Sequence, residues 1–214
     1  MQTAQGVLDF WFLPPDSRAY GSPRQEWFRK DDAFDVARRA QQLDPLSPII
    51  NSFLGILLRE TGQIDAAFTQ LQKTLELDPN FPRGHLILAD TYQEAGRFEE
   101  AIDEFQKAFT LSGMSPDAIA AGAERVRGAY RAYGPKGYYR AMAIAFERPG
   151  QPAFPVIIAG YWAQAGEIDR AFEILEAAYQ RRDYGMLMLK TGRLKTVEND
   201  PRYKSLLRRV GLPE

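Results

Sequence analysis

The chain echoes itself at a fixed distance. At a spacing of about 34 residues, Gly55 pairs with Ala89, Leu58 with Tyr92, Gly62 with Gly96, Ala67 with Ala101, Leu71 with Phe105 and Thr74 with Ala108. A period of this length, with small and large residues at set offsets, commits a chain to stacked helix–turn–helix units. Each unit buries its apolar side against the next, and the product is an extended surface.

Counting one repeat from Pro48, position 8 is Gly55 and position 20 is Ala67. The first helix of the repeat, helix A, must pass close to the second, helix B, at these small residues. Leu54, Leu58 and Leu71 fill the space around the crossing. Thr61-Gly62-Gln63 supplies the turn, where glycine accepts a left-handed backbone. Asp65 is expected to cap free amides at the start of helix B, and Asp78-Pro79 ends that helix. The repeat from Pro82 places Leu88, Ala89, Tyr92, Gly96, Ala101, Phe105 and Ala108 in the same roles. A third unit at residues 150–183 matches out of phase, through Ile158, Ala159, Trp162, Gly166, Ala171, Leu175 and Ala178. Residues 116–149 between them are helical by composition, but Gly134-Pro135-Lys136-Gly137 breaks them, and they read as an irregular helix pair.

These strings resemble tetratricopeptide repeats. The region from Ser47 onward is similar to the repeats that form the C-terminal part of bacterial regulators. The matching stretches are LDPLSPIIN, LELDPNFPRGHLILADTYQEAGRFEEAIDEFQKAF, GYYRAM, AGEIDRAFEILEAAYQRRD and NDPRYKSLLRRVGLP. The last reads as a short helix covering the final repeat's open face. No winged-helix, kinase or cyclase segment is read ahead of the repeats. The resemblance implies an all-α, right-handed α–α superhelix, a tetratricopeptide-like solenoid of about three repeats with the irregular pair and helical caps. The expected division is a helical cap at residues 1–40 and a repeat domain at 41–214.

The opening, GVLDFWFLPPDSRAYGSPRQEWFRKDDAFD, resembles the start of a bacterial helical family of unknown function, the one numbered 924. That resemblance stops near Ala37, where repeat-like sequence takes over. Leu8, Phe10, Trp11 and Phe12 form an apolar cluster ended by Pro14-Pro15, and Trp27, Phe28 and Phe34 share a helical face. The expectation is that both clusters bury against the first repeat; the rival is an exposed anchor for self-association.

Composition bounds the rest. A chain of 214 residues with 45% hydrophobic and 26% charged residues is globular in character. No apolar run approaches the roughly 20 residues that span a bilayer. The start lacks the basic flank of a secretory signal, so the expected compartment is the cytoplasm. Zero cysteines exclude disulfides and thiolate chemistry. The net charge of −1 hides ten acidic against three basic residues between Glu60 and Glu104, and nine basic against four acidic from Arg181 to Glu214. The expectation is that this is simply how exposed helix faces are coloured, although such polarity also steers charged partners.

Catalytic signatures are sparse. His85, the only histidine, falls at position 4 of the second repeat and is read as packing on helix A. There is no GxSxG elbow, phosphate loop, HExxH or dinucleotide fingerprint. Glu99-Glu100 and Asp103-Glu104 lie one turn apart and read as a solvated face. Basic and aromatic residues interleave from Arg125 to Arg140, a mix that nucleic-acid surfaces use, but a pI of about 6.0 disfavours that partner. No enzyme activity, cofactor or metal is expected.

In stacked tetratricopeptide repeats the helix A positions 2, 5, 9, 12 and 13 line a concave groove. The resemblance therefore assigns it to Ile49, Ser52, Ile56, Arg59 and Glu60, and to Arg83, Leu86, Asp90, Gln93 and Glu94. The out-of-phase unit adds Ala153, Val156, Gly160, Ala163 and Gln164. Ser52, Ile56, Leu86 and Asp90 stand where carboxylate-clamping relatives place Lys, Arg and Asn, which disfavours a terminal-carboxylate ligand. A peptide or helix with an apolar residue and basic charge fits Ile56, Leu86, Asp90 and Glu94 better. The reading is a non-catalytic protein-interaction scaffold. Its rivals are a sensor domain with an apolar pocket near Trp162 and Tyr138, an enzyme related to the N-terminal family, and a self-associating module.

Overall fold

Proline at the first helical position and glycine just past the last punctuate the helices. A computed structural model describes residues 30–147, 155–190 and 192–213, with the backbone alone for residues 30–32. The helices are α1 (Lys30–Leu43), α2 (Pro48–Glu60), α3 (Ile64–Leu77), α4 (Pro82–Glu94), α5 (Phe98–Leu111), α6 (Pro116–Phe146), α7 (Pro155–Ala165), α8 (Ile168–Gln180) and α9 (Pro201–Val210). Two 3-10 turns, Tyr184–Met188 and Gly192–Val197, lie between α8 and α9. No strand occurs among the described residues, and the helices pair consecutively: the fold is the expected all-α, tetratricopeptide-like arrangement.

The chain divides into two compact units between Ile119 and Ala120. In unit 1 the period governs the helix ends themselves. The bounds of α1, α3 and α5 are each displaced by one full period, as are those of α2 and α4. Helix α1, assigned to the cap by the sequence, is thus in register as a helix B. Its Ala37 packs with Leu54 and Leu57, and Phe34 lies against that cluster. The clusters Leu8–Phe12 and Trp27–Phe28 lie outside the described residues.

The small residues act as expected. A Cβ on Gly55 would sit 2.7 Å from Leu71 Cγ, so a larger residue at the α2–α3 crossing requires the Leu71 side chain to shift. Leu71, Ile87 and Leu88 form the adjoining core, flanked by Ile56, Phe68, Leu75 and Tyr92. Both turns close identically: Gly62 (φ 79°) and Gly96 (φ 73°) bond to Arg59 O and Gln93 O, while Gln63 N and Arg97 N reach Leu58 O and Tyr92 O. This pair of bonds is the glycine-requiring Schellman closure. Ser47 caps α2 through Ile50 N (3.4 Å). Asp65, expected to cap α3, instead lies in its first turn, and the capping residue Gln63 makes no side-chain bond. What remains for Asp65 is proximity to the helix dipole.

Helix α6 begins in register, one period after Pro82, and buries Ala123 and Val126 where α4 has Ala89 and Tyr92. Its irregularity starts where Tyr130 replaces the turn glycine. The helix runs on to Gly134, whose φ of 62° and ψ of −151° suit glycine alone, and Pro135 follows. Gly137 then meets the first arm so closely that a Cβ would lie 2.2 Å from Ala129 O. The turn glycine of the last repeat, Gly166, comes two positions later than two full periods after Gly96 would place it, and this offset is its phase shift.

In unit 2, α9 lies along α8 as the covering terminal helix. Arg202 pairs with Asp169 (2.8 Å) and stands 4.1 Å from the Phe172 ring centre. Two turns on, Arg209 pairs with Glu176 (2.7 Å) and stands 4.1 Å from Tyr179.

Candidate functional site

The groove positions of unit 1 fall on two helices packed side by side. Their C-terminal halves converge on Arg59. Its guanidinium reaches Glu60 (2.8 Å), Asp90 (3.3 Å) and Glu94 (3.7 Å), and its side chain is 10% exposed. Gln93 donates to Asp90 Oδ1 at 2.9 Å. Among the described residues Arg59 Nε has no hydrogen-bond partner, its nearest carboxylate being Glu94 at 3.7 Å. The sequence reads these five side chains as separate lining residues, but the structure joins them in one ionic cluster. One cation is held among three carboxylates on adjacent helices, so the cluster also fastens α2 to α4.

The residues ahead of Arg59 and Asp90 on the two helices are more apolar. Ile56 is half-buried on the Leu71 core, Leu86 is half-buried, and Ile49 is exposed. Arg83 is half-buried, and burial pulls its guanidinium below its ordinary value. Ser52 is turned inward: it is 1% exposed, and its hydroxyl donates to Ile49 O at 2.8 Å. The site therefore offers an apolar shelf, Ile56 and Leu86, beside an acidic end containing Glu60, Asp90 and Glu94.

Below this face lies a polar contact that the sequence reading misses. Asn51 Oδ1 accepts from Gln70 (2.7 Å) and Gln41 (2.7 Å), and its amide donates to Pro45 O (2.9 Å) and Ser47 O (2.8 Å). One period later, His85 meets Glu104 through Nδ1 (2.6 Å) and Pro79 O through Nε2 (3.0 Å). Asn51 and His85, Gln70 and Glu104, and Pro45 and Pro79 each stand at the same position of successive repeats. Because a carbonyl only accepts, Nε2 carries a hydrogen. Lys107 adds a second partner to Glu104 at 2.7 Å. The lone histidine thus occupies a repeat-specific structural slot between helices A and B.

In unit 2 the corresponding groove positions are covered by the chain itself. Val156, Gly160 and Ala163 are buried; Ala153 lies outside the described residues. A Cβ on Gly160 would lie 2.9 Å from Arg193 Cβ and 3.2 Å from its carbonyl, so the Gly192–Val197 turn rests on this face. Leu189, Leu194 and Val197 bury beneath it, and Arg193 stands 5.5 Å from the Tyr161 ring centre. The expected groove contribution of this repeat is corrected accordingly: a segment without helical period fills it. Beside Trp162 the space is also filled, since Tyr138 is fully buried and Trp162 donates to Glu147 at 3.1 Å. A pocket of about 280 Å³ opens instead over Ile158 and Ile174, rimmed by Glu147, Arg170 and Glu173, with Arg170 paired to both carboxylates.

The basic–aromatic stretch divides by orientation. Tyr130, Tyr138 and Tyr139 meet edge-to-face inside the unit, leaving Tyr133 exposed among Arg131, Lys136 and Arg140. Most of the rings that would stack on bases are therefore used in packing. No helix among the described residues is long and apolar enough to cross a membrane.

A family model described as tetratricopeptide repeat matches residues 58–110, from the end of α2 through α5. Among curated proteins none matches the chain significantly.

Proposed function

We propose that the α2–α4 face of unit 1 binds a peptide or helix of a protein partner, and that the chain is a non-catalytic interaction scaffold. Tetratricopeptide repeats generally mediate protein–protein interaction, and the matched residues include most of this face. The observation that carries the reading is the pairing of the Ile56–Leu86 shelf with the acidic end around Arg59. An aliphatic side chain of the partner rests on the shelf, and a Lys or Arg lies toward Asp90 and Glu94. Three carboxylates against the two cations Arg59 and Arg83 favour that polarity of ligand over an acidic one.

Selection of random peptides on the protein tests this, with Ile56→Asp, Leu86→Asp as the counter-screen. Peptides combining an aliphatic residue with Lys or Arg are expected, with binding lost in the variant and weakened by salt. Enrichment of acidic peptides, or undiminished binding to the variant, overturns the reading.

A further inference from the structure

One stretch of this chain has the composition that suits the α2–α4 face. Residues 181–190 set Arg181, Arg182 and Lys190 around Tyr184, Leu187 and Met188, and all six are exposed. Leu187 and Met188 are each 45% exposed, an apolar pair that the fold leaves uncovered. The Tyr184–Met188 turn that presents them is fastened from within. Met186 and Leu189 are buried, and Asp183 Oδ1 accepts from Gly185 N at 2.8 Å. The buried Tyr203 hydroxyl donates to Leu189 O at 2.9 Å. An apolar pair held in place between cations meets a partner with little ordering left to do. The basic helix α9 lacks this combination, because Leu206 and Leu207 are buried while Arg202 and Arg209 pair with α8.

Charge is divided between the two units in the same sense. Residues 1–119 carry eighteen Asp/Glu against eleven Lys/Arg, and residues 120–214 carry ten against sixteen. Two copies therefore attract when unit 2 of one meets unit 1 of the other, and repel when like units meet. We infer that the occupant of the α2–α4 face is the Tyr184–Met188 turn of a second copy of this chain. Leu187 and Met188 rest on the Ile56–Leu86 shelf, and the flanking cations Arg182 and Lys190 lie toward Asp90 and Glu94. This inference rests on the reading of that face as a peptide site. Each copy carries both surfaces, so the contact is heterologous and association continues into a ring or an open chain. A single turn makes a smaller contact than the roughly 1,200 Å² of a standard interface, so the association is weak and concentration-dependent.

Complementation between two variants of the full chain tests this. Ile56→Asp, Leu86→Asp spoils the face and keeps the turn, whereas Leu187→Glu, Lys190→Glu spoils the turn and keeps the face. Light scattering is expected to show wild-type mass rising with concentration and falling with salt. Each variant, with the wild-type helical circular dichroism, is expected at monomer mass where the wild type has associated. An equimolar mixture of the two should restore association as dimers only, because one intact face and one intact turn remain. A wild type that stays monomeric, a turn variant that associates as the wild type does, or a mixture of folded variants that stays monomeric overturns the proposal. Peptide selection on the turn variant, whose face is intact, reports separately on the underlying reading. Basic aliphatic peptides recovered there beside a monomeric wild type would sink the second copy and spare the peptide site; recovery of none would sink both.

Discussion

Single residues carry strain and charge that the repeat pattern does not demand. Arg182 closes α8 in the left-handed region, φ 55°, where the equivalent turn after α5 has Gly113 at φ 77°. A non-glycine residue there costs about 1–2 kcal/mol, while glycine's extra freedom in the unfolded chain returns about 0.5–1 kcal/mol of that. Arg182→Gly is therefore expected to stabilise the protein by about 0.5–1 kcal/mol, seen as a higher melting temperature; a decrease would mean that the arginine makes a compensating contact. Arg59 has the opposite sign. Arg59→Met leaves Glu60, Asp90 and Glu94 facing one another, and a loss of about 2–3 kcal/mol is expected in urea unfolding. Asp90→Asn in the same background should recover part of that loss, because it removes one of the repelling charges. From sequence, Arg59 reads as a groove residue on helix A, and it lies on α2. The rest of its cluster is illegible, because Asp90, Gln93 and Glu94 lie on the next repeat's helix A, and no periodicity records which rotamers meet.

Between elements, the same slot is filled by different chemistry. Asn51–Gln70 joins α2 to α3 without charge, and His85–Glu104 joins α4 to α5 through an imidazole and a carboxyl. If the slot is structural, then His85→Asn with Glu104→Gln rebuilds the first repeat's contact in the second. The double variant is expected to lose no more than about 1 kcal/mol, whereas His85→Ala strands Glu104 beside Lys107 alone and costs about 2 kcal/mol. Thermal unfolding of the three proteins decides it; equal losses would deny the slot its pairing role. The α8–α9 contact offers a pH test. Arg209 and Gln180 hold the Glu176 carboxyl at about 2, from an ordinary 4.5. A depressed carboxyl stabilises the fold above its ordinary range and loses that contribution as pH falls from about 4.5 through about 2. Glu176 is well exposed, so only about 0.5 kcal/mol is at stake after solvent screening. Glu176→Gln should lower stability by about 0.5 kcal/mol near neutrality and flatten the profile across that window, so that the two proteins converge at low pH. The helix pairs are legible in the sequence because glycine turns and small crossing residues recur at fixed offsets. The covering turn Gly192–Val197 is not, since its two buried residues, Leu194 and Val197, are too few to establish any period.

Across the whole molecule, the two units present their helix A faces differently. The face on α2 and α4 carries its lining residues on helices alone, while the face on α7 is closed by the same chain's later residues. In a repeat protein, stability is the sum of each unit's own energy and its nearest-neighbour interfaces, so damage to one unit need not spread. Gly160→Val tests this at the closed face. Its added methyls meet Arg193 backbone atoms that a Cβ alone would approach to 3.2–3.5 Å, and the turn cannot yield as a flexible side-chain tip would. Overpacking of this kind costs about 1–3 kcal/mol. Hydrogen exchange should then accelerate in α7, α8 and the Gly192–Val197 turn, with α2 to α5 keeping their protection. Peptide binding at Ile56 and Leu86 should persist in the same variant. Uniform acceleration through α2 to α5 would show instead that the molecule opens as one cooperative body, in which case the closed face of unit 2 sets the stability of the open one and no groove variant can be interpreted without measuring both.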